Sequence, residues 1–150
     1  MRVLKKIEIF TDGACSKNPG PGGWAAILRY GSFQKKICGF VANTTNNRME
    51  LFALINALNM IRYPCDIIIF SDSKYVVESI SEKRVFKWEK LGWKRKNKEI
   101  PNADLWRELI DLMKGHKISV YWQKGHSGNV ENEECDKMAT MEIKRNLVSV

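Results

Sequence analysis

Four acidic residues stand in contexts that could support metal chemistry. They are Asp12 in TDGACSKNPGPGGW, Glu50 in TTNNRMEL, Asp72 in IIIFSDSKYV and Asp136 in KGHSGNVENEECDKMA. Each lies beside the end of a predicted strand or on the inner face of a predicted helix, and carboxylate oxygens are the ligands that Mg²⁺ prefers. Like charges that lie close together are costly unless cations neutralise them. If the four acids meet in space, they predict a two-metal site that cleaves phosphodiesters.

The elements that must position these acids follow from residue periodicity and from glycine- and proline-rich breaks. The predicted strands are 5–13, 23–30, 33–42, 66–70 and 116–123. The predicted helices are 47–61, one from about 73, 102–114 and 131–146. Short connections make the first three strands antiparallel neighbours, and the apolar run at 66–70 predicts a strand covered on both faces. The order predicts an α/β fold with a mixed sheet flanked by helices, parallel in its second half.

Ordinary structural roles compete with metal binding at each acid. The Asp12-Gly pair is typical of a turn, and Asn47 with Glu50 could form a capping pair. Asp72 could cap the following helix, and Asp136 would suit the positive end of a helix dipole. Glu50 and Asp136 nevertheless lie on the apolar stripes of their helices, which directs both carboxylates toward the sheet.

Length and composition indicate the class of protein. The 150 residues, 44% hydrophobic and 28% charged, predict a single domain spanning 1–150. The net charge of +8 favours a polyanionic partner, nucleic acid ahead of an anionic membrane. The four cysteines lack CxxC or Cys/His metal spacing, which favours a reducing cytoplasm. No apolar run approaches the ~20 residues of a membrane span, so no membrane partner is expected.

Four sequence blocks together resemble a known family. TDGACSKNPGPGGWAAIL, TTNNRMEL, SDSKYV and KGHSGNVENEECDKMA are similar, in order and spacing, to the signature of type 1 ribonuclease H, over about residues 7–143. The resemblance implies a ribonuclease H-like fold with three antiparallel strands followed by two parallel ones. It also implies a monomeric enzyme that uses Mg²⁺, or Mn²⁺ as a substitute, to cleave the RNA strand of RNA/DNA hybrids. The products would carry 5′-phosphate and 3′-hydroxyl ends.

The resemblance also implies catalytic roles. The family's metal-binding carboxylates match Asp12, Glu50, Asp72 and Asp136, and its catalytic histidine matches His126 in the KGH block. A neutral imidazole there could relay a proton, although a lone loop histidine is more often solvated. The second histidine, at 116, is expected to be structural or solvated.

Further residues match positions that contact the hybrid in the family. The expected contacts to the RNA minor groove are Cys15, Asn18, Asn46 and Asn47. Amide and backbone groups can hydrogen-bond a 2′-hydroxyl there, with turn and cap roles as the alternative for the asparagines. The expected pocket for a DNA-strand phosphate is Thr45, Arg48 and Asn102, in which the arginine supplies the charge.

The segment 81–101 resembles the family's basic protrusion. Residues 83–98 interleave aromatics with eight basic residues and one acid, and Trp88 and Trp93 are the expected contacts to deoxyribose. The alternative is a solvated helix pair that the two tryptophans anchor. Lys74 stands where cellular members often have Gln, which would replace an amide contact by a cation–phosphate contact. Arg84 stands where many members have an aromatic residue that contacts a DNA sugar. Phe86 could supply that contact instead.

Other functions remain open at this point. A non-catalytic hybrid-binding module would keep the basic protrusion and lose acids, but all four acids are present. A DNA-cutting nuclease of the same superfamily would lack the joint NPGPGG, TTNNRMEL and KGH blocks. A domain of a reverse transcriptase is a further alternative. A nucleotide-binding loop is disfavoured because the glycines lie between strands and lack the GxxxxGK[ST] pattern.

Overall fold

The computed structural model describes residues 3–124 and 129–148, without the side chain of residue 148. Its strands are β1 (Lys5–Cys15), β2 (Gly20–Tyr30), β3 (Phe33–Thr44), β4 (Cys65–Ser71), β5 (Lys94–Arg95), β6 (Lys98–Glu99) and β7 (Lys117–Trp122). Its helices are α1 (Asn46–Asn59), α2 (Lys74–Ser81), α3 (Arg84–Lys90), α4 (Ala103–Met113) and α5 (Val130–Val148).

The main sheet has the strand order β3-β2-β1-β4-β7. The first three strands are antiparallel, and β4 pairs in parallel with both β1 and β7. This is the predicted mixed sheet. Only one face of β4 is fully buried and the other is half-buried, so the expectation of full cover on both faces is wrong.

The two faces of the sheet carry unequal cores. The larger core lies between the sheet and α1, α2 and α4, and Trp106 is fully buried within it. On the opposite face, Phe10 and Ile27 pack with Cys135 and Ala139 of α5. Burial of each large apolar side chain contributes about 1.5–3 kcal/mol, so both faces hold helices firmly against the sheet.

The segment 81–101 folds as α3 followed by the two-stranded β5–β6 hairpin. Val85 is fully buried and Trp93 is 7% exposed, and both belong to the larger core. The Ile100 backbone N–H donates to the Trp93 carbonyl over 2.8 Å, which closes the base of the hairpin. The cations of this segment therefore project from an anchored base.

Candidate active site

Three of the four predicted acids meet at one edge of the sheet. Asp12 in β1, Glu50 in α1 and Asp72 after β4 each offer a carboxylate oxygen, and these oxygens lie within 4.8 Å of one another. The last pair of the parallel β1–β4 register is Thr11 opposite Ser71. The next residue in each strand direction is an aspartate, so Asp12 and Asp72 lie at the same edge of the sheet. Parallel pairing thus brings two acids together that are 60 positions apart in the sequence.

The ordinary structural alternatives for these acids do not hold. Asp12 lies within β1 opposite Ala25 rather than in a turn. The α1 cap is Thr45, whose hydroxyl accepts from the Arg48 N–H at 3.3 Å, and the α2 cap is Ser73. Neither Asn47 nor the acids are needed as caps.

Asp12, Glu50 and Asp72 form a carboxylate trio, and burial is the main cause of the raised pKa of both Asp12 and Glu50. Asp12 is 7% exposed, and burial, followed by the charge of Asp72, raises its pKa to about 7. Glu50 is 3% exposed, and burial, followed by the charge of Asp12, raises its pKa well above its usual range. The Gly13 N–H donates to Asp12 Oδ1 at 2.8 Å, which lowers the pKa of Asp12 only in part. Without a proton or a cation, three charges here would repel one another.

The donor set fits a divalent cation that prefers oxygen. All three groups of the trio are carboxylates, the ligand type of Mg²⁺ and Mn²⁺ sites. Within the described residues, the buried oxygen Oε2 of Glu50 has no hydrogen-bond partner. A buried acceptor without a donor is costly, and a cation would satisfy it.

Asp136 lies beside the trio rather than within it. It is half-buried on α5, next to Cys135, whose thiol donates to the Phe10 carbonyl at 3.4 Å. The charge of Asp136 contributes to the raised pKa of Asp12, after burial and the charge of Asp72.

His126 lies outside the described residues. His116 is structural, because its Nδ1 accepts from the Cys65 N–H at 3.1 Å.

The residues of the predicted phosphate pocket are neighbours. Arg48 Nη1 donates to Asn102 Oδ1 at 3.4 Å, and Thr45 caps the helix on which Arg48 lies. Arg48 also forms a two-pronged ion pair with Asp104, with N–O distances of 2.9 and 2.8 Å. Sequence reasoning missed Asp104, because an acid in the first turn of α4 is an ordinary partner of the helix dipole.

Most residues expected to read the RNA strand also lie together. The Asn46 N–H donates to Asn18 Oδ1 at 2.9 Å, and the Cys15 thiol donates to the Thr44 carbonyl at 3.4 Å. The first contact joins the loop after β1 to the start of α1, and the second joins the end of β1 to the end of β3. Asn47 is exposed at the same helix start.

The aromatic residues of the protrusion have different environments. Trp88 is half-buried and packs edge-on against Trp106, with ring centroids 5.9 Å apart. Trp93 faces the core with Arg107 over its ring at 5.7 Å, which fits the anchoring alternative rather than a sugar contact. Phe86 lines a cavity of about 550 Å³ beside β7, whereas Trp88 lines a different one.

The two departures from the family pattern also have partners. Arg84 pairs with Glu82 at 2.5 Å and with Glu78 at 3.8 Å. The ammonium of Lys74 lies 5.0 Å from the centroid of the Trp122 ring. Neither contact involves the carboxylate trio.

A mixed five-stranded sheet with a carboxylate trio at its edge, two members of which are buried, is an arrangement typical of metal-dependent hydrolases. The RNase H family model matches residues 4–144 of the chain. The Ribonuclease H of Acetivibrio thermocellus is 54% identical over 144 residues, covering 95% of this chain and 98% of that protein. The Ribonuclease H of Rhizobium etli is 51% identical over 137 residues, covering 91% and 90%.

Solved structures agree with this assignment. LC9-RNase H1, described as a type 1 RNase H with the type 2 active-site motif, superposes with a TM-score of 0.86 at 26% identity, covering 97% of this chain and 75% of that one. LC11-RNase H1 in complex with an RNA/DNA hybrid has a TM-score of 0.74 at 19% identity, covering 94% and 99%, and supports the fold alone. The chain belongs to the RNase H family and is a ribonuclease H enzyme, which confirms the predicted resemblance and fold class. None of the helices within residues 3–124 and 129–148 is long and apolar enough to cross a bilayer.

Proposed function

We propose that the chain hydrolyses the RNA strand of RNA/DNA hybrids endonucleolytically, with Asp12, Glu50, Asp72 and Asp136 as ligands of two divalent cations. The observation that carries this proposal is the carboxylate trio, whose oxygens lie within 4.8 Å of one another. Mg²⁺ is the proposed cation, with Mn²⁺ as a substitute. The products carry 5′-phosphate and 3′-hydroxyl ends. The working unit is a single-domain cytoplasmic monomer spanning 1–150.

The side chains of the site have different roles in this proposal. Bound divalent ions supply Lewis acidity that activates water and stabilises the departing 3′ oxygen. Asp12 and Glu50 hold their carboxylates in a nearly water-free position, where attraction to a cation is strong. Asp72 and Asp136 are half-buried and complete the ligand set on the solvent side. His126 relays a proton to or from the reacting groups.

Two groups of residues account for hybrid recognition in this proposal. In the first, the Cys15 contact with the Thr44 carbonyl and the Asn18 contact with the Asn46 N–H hold polar groups where a 2′-hydroxyl could bind. In the second, Arg48 and Asn102 form the pocket for a DNA-strand phosphate. A strand with 2′-hydroxyls is thereby directed to the carboxylates, and a deoxyribose strand to the pocket.

The charge of the protrusion supports the same substrate. Its exposed cations, which include Lys94, Lys96 and Lys98, project from the hairpin base that Trp93 anchors. Half-buried Trp88 borders a cavity of about 520 Å³ rimmed by three cations of this segment. Cations that follow a phosphate backbone release counterions, so this surface strengthens binding most at low salt.

The decisive substrate assay compares three duplexes. End-labelled RNA/DNA hybrid, RNA duplex and DNA duplex are each incubated with and without Mg²⁺, and the product ends are mapped. We expect Mg²⁺-dependent cuts in the RNA strand of the hybrid, poor cutting of the RNA duplex and none of the DNA duplex. Binding of the hybrid without cleavage would favour a binding module, and cleavage of the DNA duplex would favour a DNA-cutting nuclease.

A further inference from the structure

Trp122 joins two residues of the site through two different parts of its side chain. Its indole N–H donates to the backbone carbonyl of Asp72 at 3.0 Å. The face of the same ring lies 5.0 Å from the ammonium of Lys74. The ring is 45% exposed at the end of β7, so a place in the core does not explain it.

We propose that Trp122 is a positioning residue, which fixes the turn after Asp72 and holds the Lys74 ammonium ready for a phosphate of the RNA strand. This inference rests on the proposed function and names one more determinant of the same site. Because the two contacts use different atoms of the ring, their effects can be separated by substitution.

The N–H contact acts on the backbone that carries a metal ligand. Asp72 follows the last residue of β4, and Ser73 begins the turn into α2. Directly after β7, the Gln123 N–H donates to the Ser71 carbonyl at 2.8 Å, and the Trp122 indole N–H donates to the next carbonyl, that of Asp72. Strand β7 therefore holds two successive carbonyls beside the carboxylate of Asp72.

The ring face acts on a side chain that is otherwise free to rotate. A lysine ammonium sits on a flexible four-carbon stem and loses rotamer entropy when a ligand fixes it. A cation–π contact at an exposed site is worth about 0.5–1 kcal/mol and restricts the stem beforehand. No ion pair in the described part of the chain involves Lys74, so its charge is not neutralised by a carboxylate. Its charge is therefore available to a phosphate of the substrate.

The test measures kcat, KM and half-saturating Mg²⁺ on RNA/DNA hybrid for wild-type protein and four variants. These are Trp122→Leu, Trp122→Phe, Lys74→Gln and the double variant Trp122→Leu/Lys74→Gln. The leucine variant loses both contacts, and the phenylalanine variant keeps a ring face but has no N–H. Thermal melts confirm that each variant is folded at the assay temperature. Tyr121→Leu, which removes the neighbouring exposed aromatic from β7, is the matched control.

We expect Lys74→Gln and Trp122→Leu each to raise KM about two- to fivefold, with no further increase in the double variant. Trp122→Leu should also raise the half-saturating Mg²⁺, because the backbone carbonyl of Asp72 loses the indole N–H. Trp122→Phe should restore KM but keep that higher half-saturating Mg²⁺, and Tyr121→Leu should match wild type in both quantities. Additive KM effects, an equal KM for the phenylalanine and leucine variants, or a raised KM for Tyr121→Leu would overturn the inference. Failure of the proposed function would appear as wild-type protein that does not cleave the hybrid. Failure of this inference alone would appear as an active wild type whose variants show one of the contrary KM patterns.

Discussion

Gly13 lies directly against the backbone of Glu50. A Cβ built at Gly13 would come within 2.5 Å of the Glu50 nitrogen and 2.6 Å of the Met49 carbonyl carbon. Strand β1 and helix α1 therefore touch at the position next to Asp12. This close approach puts two carboxylates from different elements within reach of one cation.

Replacing this glycine should disrupt the trio. In Gly13→Ala, the new methyl group must push α1 away from β1, which costs about 1–3 kcal/mol, as overpacking does elsewhere. We expect a lower free energy of unfolding in urea and a hybrid-cleavage rate at least about tenfold lower, because a small misplacement of catalytic groups is expensive. Gly31→Ala is the control, since Gly31 has a φ of +57° but no atom within 4 Å of the added Cβ. Gly31→Ala should lower the free energy of unfolding and leave the rate of hybrid cleavage unchanged. Normal cleavage by Gly13→Ala would argue against the close approach.

The raised pKa of Asp12 predicts a pH-dependent gain in stability for Asp12→Asn. Because folding raises this pKa from 3.8 to about 7, the metal-free folded protein holds the proton more tightly than the unfolded chain. Stability is therefore lost as pH rises through that window, and the loss is complete above it. In EDTA, Asp12→Asn should be more stable than wild type by about 1–4 kcal/mol at pH 8, and this difference should shrink toward pH 4.

Urea unfolding at several pH values measures this effect. Asp66→Asn, at the opposite end of β4 from the site, controls for the loss of an acid from the sheet. A gain for Asp12→Asn that is the same at pH 4 and pH 8 would show that the charge of Asp12 is not its source. The same variant should have lost most hybrid cleavage in Mg²⁺.

The Arg48–Asp104 ion pair predicts that removing Asp104 strengthens hybrid binding. A DNA-strand phosphate must compete with Asp104 for the guanidinium, whose pKa that carboxylate raises. In an Asp12→Asn background that does not cleave, Asp104→Asn should lower the hybrid Kd about two- to fivefold at low salt. Asp111→Asn on the same helix should have a smaller effect. Weaker binding by Asp104→Asn would instead mean that Asp104 orients Arg48.

Tyr75 is predicted to hold Asn102 of the phosphate pocket in place. Its hydroxyl accepts from Trp106 Nε1 at 2.8 Å and from Asn102 Nδ2 at 3.1 Å. In Tyr75→Phe, the fully buried Trp106 loses its acceptor, which costs about 1–3 kcal/mol of unfolding free energy. Hybrid binding should weaken as well, because Asn102 is released. Tyr63→Phe, at a residue that is 74% exposed, should change neither quantity. Unaltered binding by Tyr75→Phe would place Asn102 outside the pocket.

The cations of the protrusion should set much of the salt dependence of binding. Replacing Lys94, Lys96 and Lys98 together by Gln should reduce the slope of log K against log salt by about 0.7–0.9 for each lost phosphate contact. Filter binding across a salt series measures the slope. Lys5, Lys35 and Lys117, at other parts of the sheet, form the matched triple substitution. Equal slopes for the two triple variants would show that the protrusion does not contact the hybrid.

Much of the sheet was predictable because its signals are local. Short glycine-rich connections specified three antiparallel strands, and the apolar run at 66–70 specified the first parallel strand. Glu50 was predicted to face the sheet because it shares a stripe with Leu54 and Leu58, and it is buried as expected. Resemblance, not spacing, predicted that the acids belong to one site.

Other features depend on contacts between distant residues. Trp93 has a φ of +65° directly after Gly92, and its ring is buried in the core although the residues that follow it, Lys94 and Arg95, are cations. The pairing of Arg48 with Asp104 joins two helices 56 positions apart. Thr45 and Ser73 were overlooked as caps because each adjoins an asparagine or an acid that could cap equally well.

The location of a bound cation tests the central claim most directly. Crystals of the wild-type protein soaked in Mn²⁺ would be measured for anomalous scattering, which marks the ion independently of the protein. We predict a peak about 2–2.5 Å from carboxylate oxygens of Asp12, Glu50 and Asp72, the range of divalent cation–oxygen bonds. With bound hybrid, a second peak should lie ~3.5–4 Å from the first. A saturating soak that leaves these carboxylates without a peak would contradict the metal-dependent mechanism.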